Sequence, residues 1–469
     1  MRIFFIGICG SAMGNVAITF KRMGHSIAGS DAGIYPPMSD VLAAEEIETF
    51  TGFAPEDMID WSPDLVVVGN AASRGNEQLE YLLEQRSLDF ISMPEAIRRF
   101  LLCDRDRMVV AGTHGKTTTT TAAAFALQVM GAEPGYLIGG VPNDLESGAA
   151  TGAENAPFAL EGDEYDSAIF DKRSKFQHYF PNVLLVNNLE FDHGDIFHDH
   201  ADYFRTFRHL IRVVPRSGVV VLNADDPQCL KLKESAFSKC LTVGFADSAD
   251  FQIQNYSEHP QGAEFSVCGS DGTSATVSVQ LNAEFNARNI VMAAVGAANL
   301  TGREDDWGAF LKALEAFTGV KRRMDTRYES ADCLVLEDFG HHHTAISGSL
   351  RSLRARYPDY EIWAAFEPRS NTTVTNRFQS ELEQAFSHTD QVHIGPIFRP
   401  ERVPEKSRLD IESIAAACSK SSVAWADWTA MEQHLLHSFV ARDKKRLLVF
   451  FSNGAFNGLI SSVTNALKF

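Results

Sequence analysis

The sequence of 469 residues contains few cysteines, few basic residues and no long apolar run. Its seven cysteines are irregularly spaced without a CxxC pair, which excludes a disulfide scaffold or a zinc ribbon and favours a reducing compartment. Lys and Arg number 42 against 61 Asp and Glu, a formal charge of −19, so the basic field for general nucleic-acid binding is absent. No apolar run reaches the roughly 18 residues of a membrane helix. We therefore expect a cytoplasmic protein that binds neither nucleic acid nor membranes.

The remaining composition is that of a folded chain with several domains. Hydrophobic residues make up 45% of the sequence, enough for more than one core, and the length predicts about three domains at roughly 150 residues each. Strand patterns alternate with helix patterns throughout, as in the strand Arg2–Ile8 and the helix Met13–Met23 that follows it. Such alternation predicts α/β domains whose parallel sheets carry helices on both faces.

The strongest motif is the segment Gly112–Thr118, which reads GTHGKTT and lies between a predicted strand and a predicted helix. This is the context of a phosphate-binding loop, in which glycines let backbone N–H groups face phosphate oxygens. Lys116 would reach the outer phosphates, and the Thr117 hydroxyl would meet Mg²⁺. Val110 replaces the first glycine of the usual motif, so the loop is a shortened variant. The alternative is a solvent-facing turn before a helix.

Two later segments carry side chains that suit a metal partner for this loop. Glu161–Asp166 contains four carboxylates after an apolar stretch, and Glu161 at the strand end is the best Mg²⁺ candidate because this ion takes oxygen ligands. Asn187–His193 follows another predicted strand and resembles a di-metal hydrolase cluster. We expect His193 to serve at a metal or phosphate site, with a solvated loop as the alternative.

The other histidine clusters are expected to be structural. His198 and His200 are interpreted as solvated side chains. In the triplet His341–His343, consecutive residues of a strand would face opposite sides, so three of them cannot easily bind one ion. A hydrogen-bonding role is favoured for this triplet over a metal site.

The first predicted turn is also rich in glycine. Gly7, Gly10 and Gly14 have the spacing GxxGxxxG rather than GxGxxG, and Asp31 ends the second predicted strand, where acids that bind ribose usually lie. A nucleotide site is plausible here and a dinucleotide site is not established. A purely structural glycine turn remains the alternative.

Taken together, these motifs resemble the Mur ligase family over essentially the whole chain. The similar segments are Gly7–Gly10, Gly69–Asn76, Gly112–Thr118, Glu161–Asp166, Asp171–Phe176, Asn188–His193, Glu337–His342, Glu367–Thr372 and Ser452–Gly454. The resemblance implies an α/β chain of three domains. These are a Rossmann-like UDP-sugar domain at 1–105, a central P-loop ATPase domain at 106–324 and a Rossmann-like, peptide-binding C-terminal domain at 325–469.

Two segments distinguish between members of the family. Glu367–Thr372 and Asp171–Phe176 match the member that adds a tripeptide. The member that adds free L-alanine has a segment rich in His, Arg and Tyr in place of Glu367–Thr372. The resemblance implies a ligase that uses ATP and Mg²⁺ to join UDP-N-acetylmuramate to L-Ala-γ-D-Glu-meso-diaminopimelate in peptidoglycan recycling. An acyl phosphate would be the intermediate, and the protein would be a monomer or a weak homodimer. An L-alanine ligase, a dehydrogenase and a non-catalytic nucleotide switch remain as alternatives.

The resemblance also implies a set of site residues. Those expected to act in catalysis are Lys116, Glu161 and His193, and those expected to hold metal are Thr117, Glu161 and His193. Those expected to bind ATP are Gly112, Thr113, Gly115, Lys116, Thr117, Thr118, Asn286, Asn289, Arg323 and Asp338. Those expected to bind the UDP-sugar are Gly7, Gly10, Asp31, Asn70, Ser73 and Arg74, and those for the peptide are Arg369, Ser370 and Asn371.

The sequence departs from the family pattern at three places. Phe285 replaces the histidine of the adenine-site motif, although an aromatic ring could still stack there. His343 occupies the position of the usual proline. The predicted helix Ala201–Val214 contains no lysine, so the carbamylated lysine that several relatives use at the second metal is absent.

Overall fold

Three α/β units follow one another along the chain, each with its own sheet. The computed structural model describes residues 1–35, 38–194, 196–419, 421–440 and 444–468. The expected α/β architecture of three domains is confirmed by three sheets of five, ten and six strands, and a separate two-stranded ribbon lies in the central unit. The exact boundaries at 1–105, 106–324 and 325–469 stay a prediction. Within the described residues, no helix combines the length and hydropathy that a membrane crossing requires.

The N-terminal unit has a five-stranded parallel sheet in the order β3-β2-β1-β4-β5. Its strands are β1 (Arg2–Ile6), β2 (Ser26–Asp31), β3 (Glu48–Thr51), β4 (Leu65–Val68) and β5 (Phe90–Ser92). Its helices are α1 (Ser11–Arg22), α2 (Met38–Ala44), α3 (Pro55–Trp61), α4 (Glu77–Gln85) and α5 (Met93–Phe100).

The first strand positions the glycine turn of this unit. Ile3–Ile6 is fully buried, as expected for a central strand covered on both faces. The strand ends two residues before the predicted Ile8, because Gly7 adopts φ +88°, a left-handed conformation that glycine adopts without steric cost. The strand order reverses beside β1, so the loops after β1 and β4 flank the switch point at which open α/β sheets bind ligands.

The central unit has a ten-stranded sheet in the order β17-β16-β15-β14-β13-β12-β6-β9-β7-β8. The strands of this unit are β6 (Arg107–Ala111), β7 (Gly135–Leu137), β8 (Ala149–Ala150), β9 (Phe158–Glu161), β10 (Asp166–Ala168), β11 (Asp171–Ser174), β12 (Val183–Val186), β13 (Val219–Asn223), β14 (Lys239–Gly244), β15 (Phe251–His259), β16 (Gly262–Gly269) and β17 (Ser274–Val279). The helices are α6 (Lys116–Val129), α7 (His200–Ile211), α8 (Pro227–Lys231), α9 (Glu284–Leu300) and α10 (Trp307–Ala313).

The centre of this sheet carries the phosphate loop. Strand β6 lies between β12 and β9, parallel to both, so the carboxyl ends of the three strands meet at one edge. Helix α6 begins at Lys116, three residues before the predicted start at Thr119, and packs against α9 through small buried side chains such as Ala122–Ala124 and Ala293–Ala294. The lysine and threonine of the loop therefore lie in the first helical turn.

The C-terminal unit has a six-stranded sheet in the order β18-β19-β23-β20-β21-β22, parallel except for the edge strand β18. Its strands are β18 (Asp325–Glu329), β19 (Cys333–Asp338), β20 (Glu361–Phe366), β21 (Gln391–Ile394), β22 (Val423–Ala424) and β23 (Arg446–Phe451). Its helices are α11 (His343–Arg356), α12 (Gln379–Ala385), α13 (Ile411–Cys418), α14 (Trp428–His434) and α15 (Leu459–Ala466). The loops after β19, β20 and β23 face the central unit.

Candidate active site

The phosphate loop is fixed against the segment that follows β12. Gly112 and Gly115 adopt φ +133° and +79°, where a side chain would be strained. A Cβ atom at Gly115 would also lie 2.7 Å from Asn187 Nδ2. The His114 N–H donates to Asn188 Oδ1 at 2.8 Å. The glycines are therefore required both by the backbone conformation and by the close approach of the Asn187–Asn188 segment.

Lys116 is held above the loop by a buried counterion. Its Nζ donates to the Gly112 carbonyl at 2.7 Å and lies 2.9 and 3.1 Å from the two carboxylate oxygens of Glu164. The Glu164 side chain is only 1% exposed. Burial lowers the pKa of Lys116, but the charge and hydrogen bond of Glu164 and the charges of Asp163 and Glu161 together outweigh that effect, so the net shift is upward. The lysine is therefore cationic at neutral pH, as phosphate binding requires.

Glu164 is the residue of this site that the sequence did not single out. Besides Lys116, it contacts His193, whose Nε2 lies 2.8 Å from Glu164 Oε1. Burial lowers the pKa of His193, but the hydrogen bond and charge of Glu164 and the charge of Asp192 together outweigh that effect, so the pKa is raised. The signal available in the sequence was the need for a counterion beside a buried lysine. Among the four carboxylates, only Glu161 was preferred, because it ends a strand.

The predicted metal residues divide into two groups. The Thr117 hydroxyl donates to Glu161 Oε2 at 3.3 Å, and Glu161 Oε1 accepts from the Gly139 N–H at 2.6 Å. His193 instead contacts Glu164. Burial raises the pKa of Glu161, which indicates a carboxylate with too little positive charge around it. A hydroxyl and a carboxylate are oxygen ligands of the kind Mg²⁺ prefers, so these two groups fit that ion.

Three of the predicted ATP residues, Thr113, Thr118 and Asn289, lie in or beside the phosphate loop. The Thr113 hydroxyl donates to the Glu190 carbonyl at 2.7 Å, which anchors the loop, and Thr118 is buried in α6. The Asn289 side chain is hydrogen-bonded to Asn187 at 3.2 Å and to Asn286 at 3.3 Å. Asn289 therefore lies beside the phosphate loop.

A cavity of about 330 Å³ opens between the central and C-terminal units. Asn286, Phe285, Val320, Arg323 and Leu336 are among the residues that line it. An amide, an aromatic ring and aliphatic groups suit a planar base. The cavity is therefore the candidate pocket for adenine, and Phe285 occupies a wall of it.

Arg323 and Asp338 form the junction of the two units. The Arg323 guanidinium donates to the Thr117 hydroxyl at 3.3 Å and packs over the Phe339 ring at 4.6 Å. Asp338 accepts from the N–H groups of Met324 at 2.8 Å and Gly340 at 2.6 Å. Arg323 therefore reaches the phosphate loop, whereas Asp338 fixes the backbone beside it.

The six predicted UDP-sugar residues lie at the carboxyl edge of the N-terminal sheet. Gly7 and Gly10 belong to the loop after β1, and Asp31 Oδ2 accepts from the Cys9 N–H at 2.9 Å in that loop. The other three residues follow β4 and are exposed; they are Asn70, Ser73 and Arg74. Nε and Nη2 of the Arg74 guanidinium donate to the two carboxylate oxygens of Glu80 at 2.8 Å, so this arginine is paired within its own unit.

The three predicted peptide residues follow β20. The Arg369 guanidinium packs over the Phe398 ring at 4.0 Å and lies 3.2 Å from Glu367 Oε1. Ser370 shares a hydrogen bond of 2.9 Å with the Thr373 hydroxyl, and Asn371 is exposed.

This segment faces the central unit. The hydroxyl of Thr372, the residue after Asn371, donates to Asp192 Oδ1 at 2.6 Å. Asp192 precedes His193 directly in the chain. The predicted peptide residues are therefore brought beside the phosphate site across the boundary between the two units.

The other histidines are only partly as expected. His198 is exposed, which agrees with the sequence interpretation. His341 and His342 precede α11 rather than lying on a strand, so the argument from opposite strand faces does not apply to them. His342 is 5% exposed and contacts His114 and Glu190. Burial lowers the pKa of His342 to about 3, so its imidazole is neutral at pH 7.

Comparisons with known proteins agree with this architecture. Residues 2–102 match the model "Mur ligase family, catalytic domain", and residues 110–298 match the model "Mur ligase middle domain". The chain belongs to the Mur ligase family, which confirms the resemblance inferred from the motifs.

Two relatives and one solved structure are similar to this chain over most of its length. The chain is 36% identical, over 100% of its length and 98% of the relative, to the UDP-N-acetylmuramate–L-alanyl-γ-D-glutamyl-meso-2,6-diaminoheptandioate ligase of Escherichia coli K12. It is 29% identical to the UDP-N-acetylmuramate–L-alanine ligase of Rubrobacter xylanophilus, over 90% of this chain and 91% of the relative. A crystal structure of a murein peptide ligase from Psychrobacter arcticus superposes with a TM-score of 0.71 at 32% identity, covering 100% of this chain and 98% of the other.

Proposed function

We propose that this protein is an ATP-dependent ligase that joins UDP-N-acetylmuramate to L-Ala-γ-D-Glu-meso-diaminopimelate by a new amide bond. The single observation that carries the proposal is the contact of Thr372, in the segment Glu367–Thr372, with Asp192 beside the phosphate site, across the unit boundary. Whole-length similarity to ligases of that name supports the same substrates. The reaction recovers peptides released from peptidoglycan.

Phosphoryl transfer would take place at the carboxyl edge of the central sheet. Lys116 binds the β- and γ-phosphates of ATP, and Arg323 reaches the same loop from the unit junction. Thr117 and Glu161 hold Mg²⁺, which supplies positive charge to the transferring phosphoryl group when bound. The lactyl carboxylate of UDP-N-acetylmuramate attacks the γ-phosphorus, and ADP leaves. The protein contributes mainly position and charge in this step.

Amide formation would follow at the boundary with the C-terminal unit. The free amine of the tripeptide attacks the carbonyl carbon of the acyl phosphate, and inorganic phosphate leaves as the tetrahedral intermediate collapses. Arg369 is positioned to bind a peptide carboxylate, because a guanidinium matches the two oxygens of a carboxylate. Ser370 and Asn371 supply neighbouring hydrogen-bonding groups. His193 and its partner Glu164 lie on the opposite side of this boundary.

The remaining proposals concern recognition and location. Gly7, Gly10, Asp31, Asn70, Ser73 and Arg74 bind the UDP-sugar, and Asn286 and Asn289 serve the adenosine side of ATP. Since ATP and a UDP-activated sugar are the substrates, the protein works in the cytoplasm. A monomer or a weak homodimer remains our prediction for the assembly.

The function is tested by measuring phosphate release from ATP with Mg²⁺ and UDP-N-acetylmuramate. Three reactions are compared, with the tripeptide, with free L-alanine and with no amine. We expect phosphate release only in the reaction that contains the tripeptide, and a product whose mass equals that of the UDP-muramoyl tripeptide. Release with L-alanine alone would assign the protein to the alanine-adding reaction. Silence with every amine, despite ATP binding, would instead indicate a nucleotide switch.

A further inference from the structure

A second group of metal-binding side chains lies beside the phosphate loop and draws on two units. His114 belongs to that loop, Glu190 follows β12, and His342 comes from the C-terminal unit. Glu190 Oε2 lies 3.3 Å from His114 Nε2 and 3.2 Å from His342 Nδ1. The three ligand atoms all lie within 4.8 Å of one another. We call these three residues the His-Glu-His cluster.

The histidine nitrogens of this cluster are poorly satisfied within the part of the chain that the structure describes. His114 Nε2 and His342 Nδ1 have only their ion-pair contacts with Glu190 Oε2, and His342 Nε2 has no hydrogen-bond partner there, although His342 is only 5% exposed. Buried polar atoms are nearly always paired, so such nitrogens need an explanation. A cation that accepts one lone pair from each imidazole would satisfy His114 Nε2 and His342 Nδ1.

Two of the three spacings in the cluster are those of a coordination shell, and all three ligand atoms lie within 4.8 Å of one another. Metal–ligand bonds of about 2.0–2.1 Å in a tetrahedral site place neighbouring ligand atoms roughly 3.3–3.4 Å apart. The two measured distances to Glu190, 3.3 and 3.2 Å, are close to that edge length. Two imidazoles and one carboxylate are also the three protein ligands of several open zinc sites, in which water takes the fourth position.

The surroundings support a bound ion rather than a closed ion pair. The Thr344 hydroxyl donates to Glu190 Oε2 at 2.6 Å, which orients the carboxylate as a second layer of contacts does in metal sites. The side chains of His114 and Glu190 are 21% and 31% exposed, so solvent and an ion can reach them. The donors differ from the oxygen pair Thr117 and Glu161, which suits Mg²⁺.

We propose that His114, Glu190 and His342 bind one zinc-like divalent cation, which ties the C-terminal unit to the phosphate loop of the central unit. Because its ligands come from both units, the ion is bound only when the two are docked. By linkage, Zn²⁺ then favours the docked arrangement over the separated one. This inference does not depend on the substrates proposed above.

The test is a titration of the full chain, first stripped with a chelator and then dialysed, with Zn²⁺ in excess Mg²⁺. Co²⁺ serves as a second probe, because tetrahedral Co²⁺ with nitrogen ligands absorbs visible light. We expect one equivalent of Zn²⁺ and a tetrahedral Co²⁺ spectrum. His342→Ala and Glu190→Gln should each weaken Zn²⁺ binding by at least about 100-fold, the upper range seen even for outer contacts of metal sites. His209→Ala, an exposed histidine on α7, is the matched control.

Two further variants keep the result interpretable. Glu161→Gln should retain Zn²⁺ binding, because that carboxylate is not in the cluster. Circular dichroism melting of His342→Ala and Glu190→Gln checks that each remains folded, and His114→Asn gives an independent loss of one ligand. If the wild-type chain binds no Zn²⁺ in excess Mg²⁺, or if His342→Ala, Glu190→Gln and His114→Asn all bind it as the control does, the proposal is wrong.

Discussion

Two glycine loops of this molecule follow buried parallel strands and precede helices, yet they differ in how they are built. In the central unit, Lys116 and Thr117 meet Glu164 and Glu161, which come from β9 and the loop after it. In the N-terminal unit, the loop after β1 is held by Asp31, which accepts from a backbone N–H. In the central loop charged side chains contact loop side chains, whereas in the N-terminal loop a carboxylate binds a backbone N–H group.

This difference indicates different tasks for the two loops. A triphosphate and a metal ion carry concentrated charge, and fixed side-chain charges close to them are effective where water is excluded. A diphosphate linked to two sugars is larger and less charged, and backbone N–H groups at a sheet edge can bind it. We therefore expect side-chain substitutions to reduce activity strongly in the central loop and modestly in the N-terminal loop.

The largest effect is expected from Lys116→Met. This change removes the loop cation that contacts Glu164, and it leaves that buried carboxylate with its contact to His193. The ligase rate kcat should fall by about 10³-fold, the upper range for loss of one group that stabilises transition-state charge. The measurement is steady-state phosphate release with all three substrates. Lys312→Met, on the exposed face of α10, is the control, and a Lys116→Met rate above a tenth of wild type would contradict the assigned role.

A paired substitution compares the two loops directly. Gly115→Ala must accommodate φ +79° and a Cβ only 2.7 Å from Asn187 Nδ2. Gly7→Ala meets φ +88° but has no atom within 4 Å of the new Cβ. We expect kcat/KM for ATP to fall by about 100-fold in the first, since a misplaced loop can cost that much. The second should lose only about 1 kcal/mol of stability, measured by urea unfolding. Equal losses of activity in the two variants would remove the distinction between the loops.

A smaller effect is expected from Asp31→Ala. It removes the acceptor for the Cys9 N–H, and an unpaired backbone donor costs about 1–3 kcal/mol. The free energy of unfolding should fall by about 1 kcal/mol, and KM for UDP-N-acetylmuramate should rise less than about tenfold. KM for ATP should not change. Asp60→Ala, on the exposed side of α3, is the control, and a selective rise in KM for ATP would be inconsistent with this assignment.

The smallest effect is a change in titration rather than in rate. Burial lowers the pKa of His193, while Glu164 and Asp192 together raise it above its usual value. Glu164→Gln removes the contribution of Glu164, so the His193 pKa should move to lower pH. The sign follows because a carboxylate partner stabilises the protonated imidazole, and a neutral amide does not. Histidine-labelled NMR of the Mg²⁺-free protein measures it, with His193→Gln to assign the signal. An unchanged or higher pKa would show that Glu164 does not control His193.

The sequence was sufficient for the features that depend on local pattern. Alternating strands and helices predicted three α/β units, and the phosphate loop was identified from residues adjacent in the chain. Glu161 was predicted as a metal ligand because it ends a strand. Its neighbour Glu164 was not, because its partners Lys116 and His193 lie 48 and 29 residues away. Only the fold brings these charges together.

Contacts between units were harder to predict from the sequence than contacts within one unit. His114 and His342 belong to different units, and their rings lie 4.7 Å apart. The histidine triplet was interpreted as part of a strand, whereas it leads into α11, and a single one of its members enters the His-Glu-His cluster. The assignments at individual residues, from Gly7 to Asn371, remain predictions, because no motif specifies which atoms of a substrate they meet.

The central claim is that this ligase adds a tripeptide rather than free alanine. The most direct measurement is a competition in which the protein, ATP, Mg²⁺ and limiting UDP-N-acetylmuramate meet equal concentrations of L-Ala-γ-D-Glu-meso-diaminopimelate and L-alanine. A mass spectrum then gives the ratio of the two products. We predict that the tripeptide product exceeds the alanine product by at least about 100-fold, as expected when Arg369 binds a carboxylate of the longer substrate. A majority of alanine product would contradict the account.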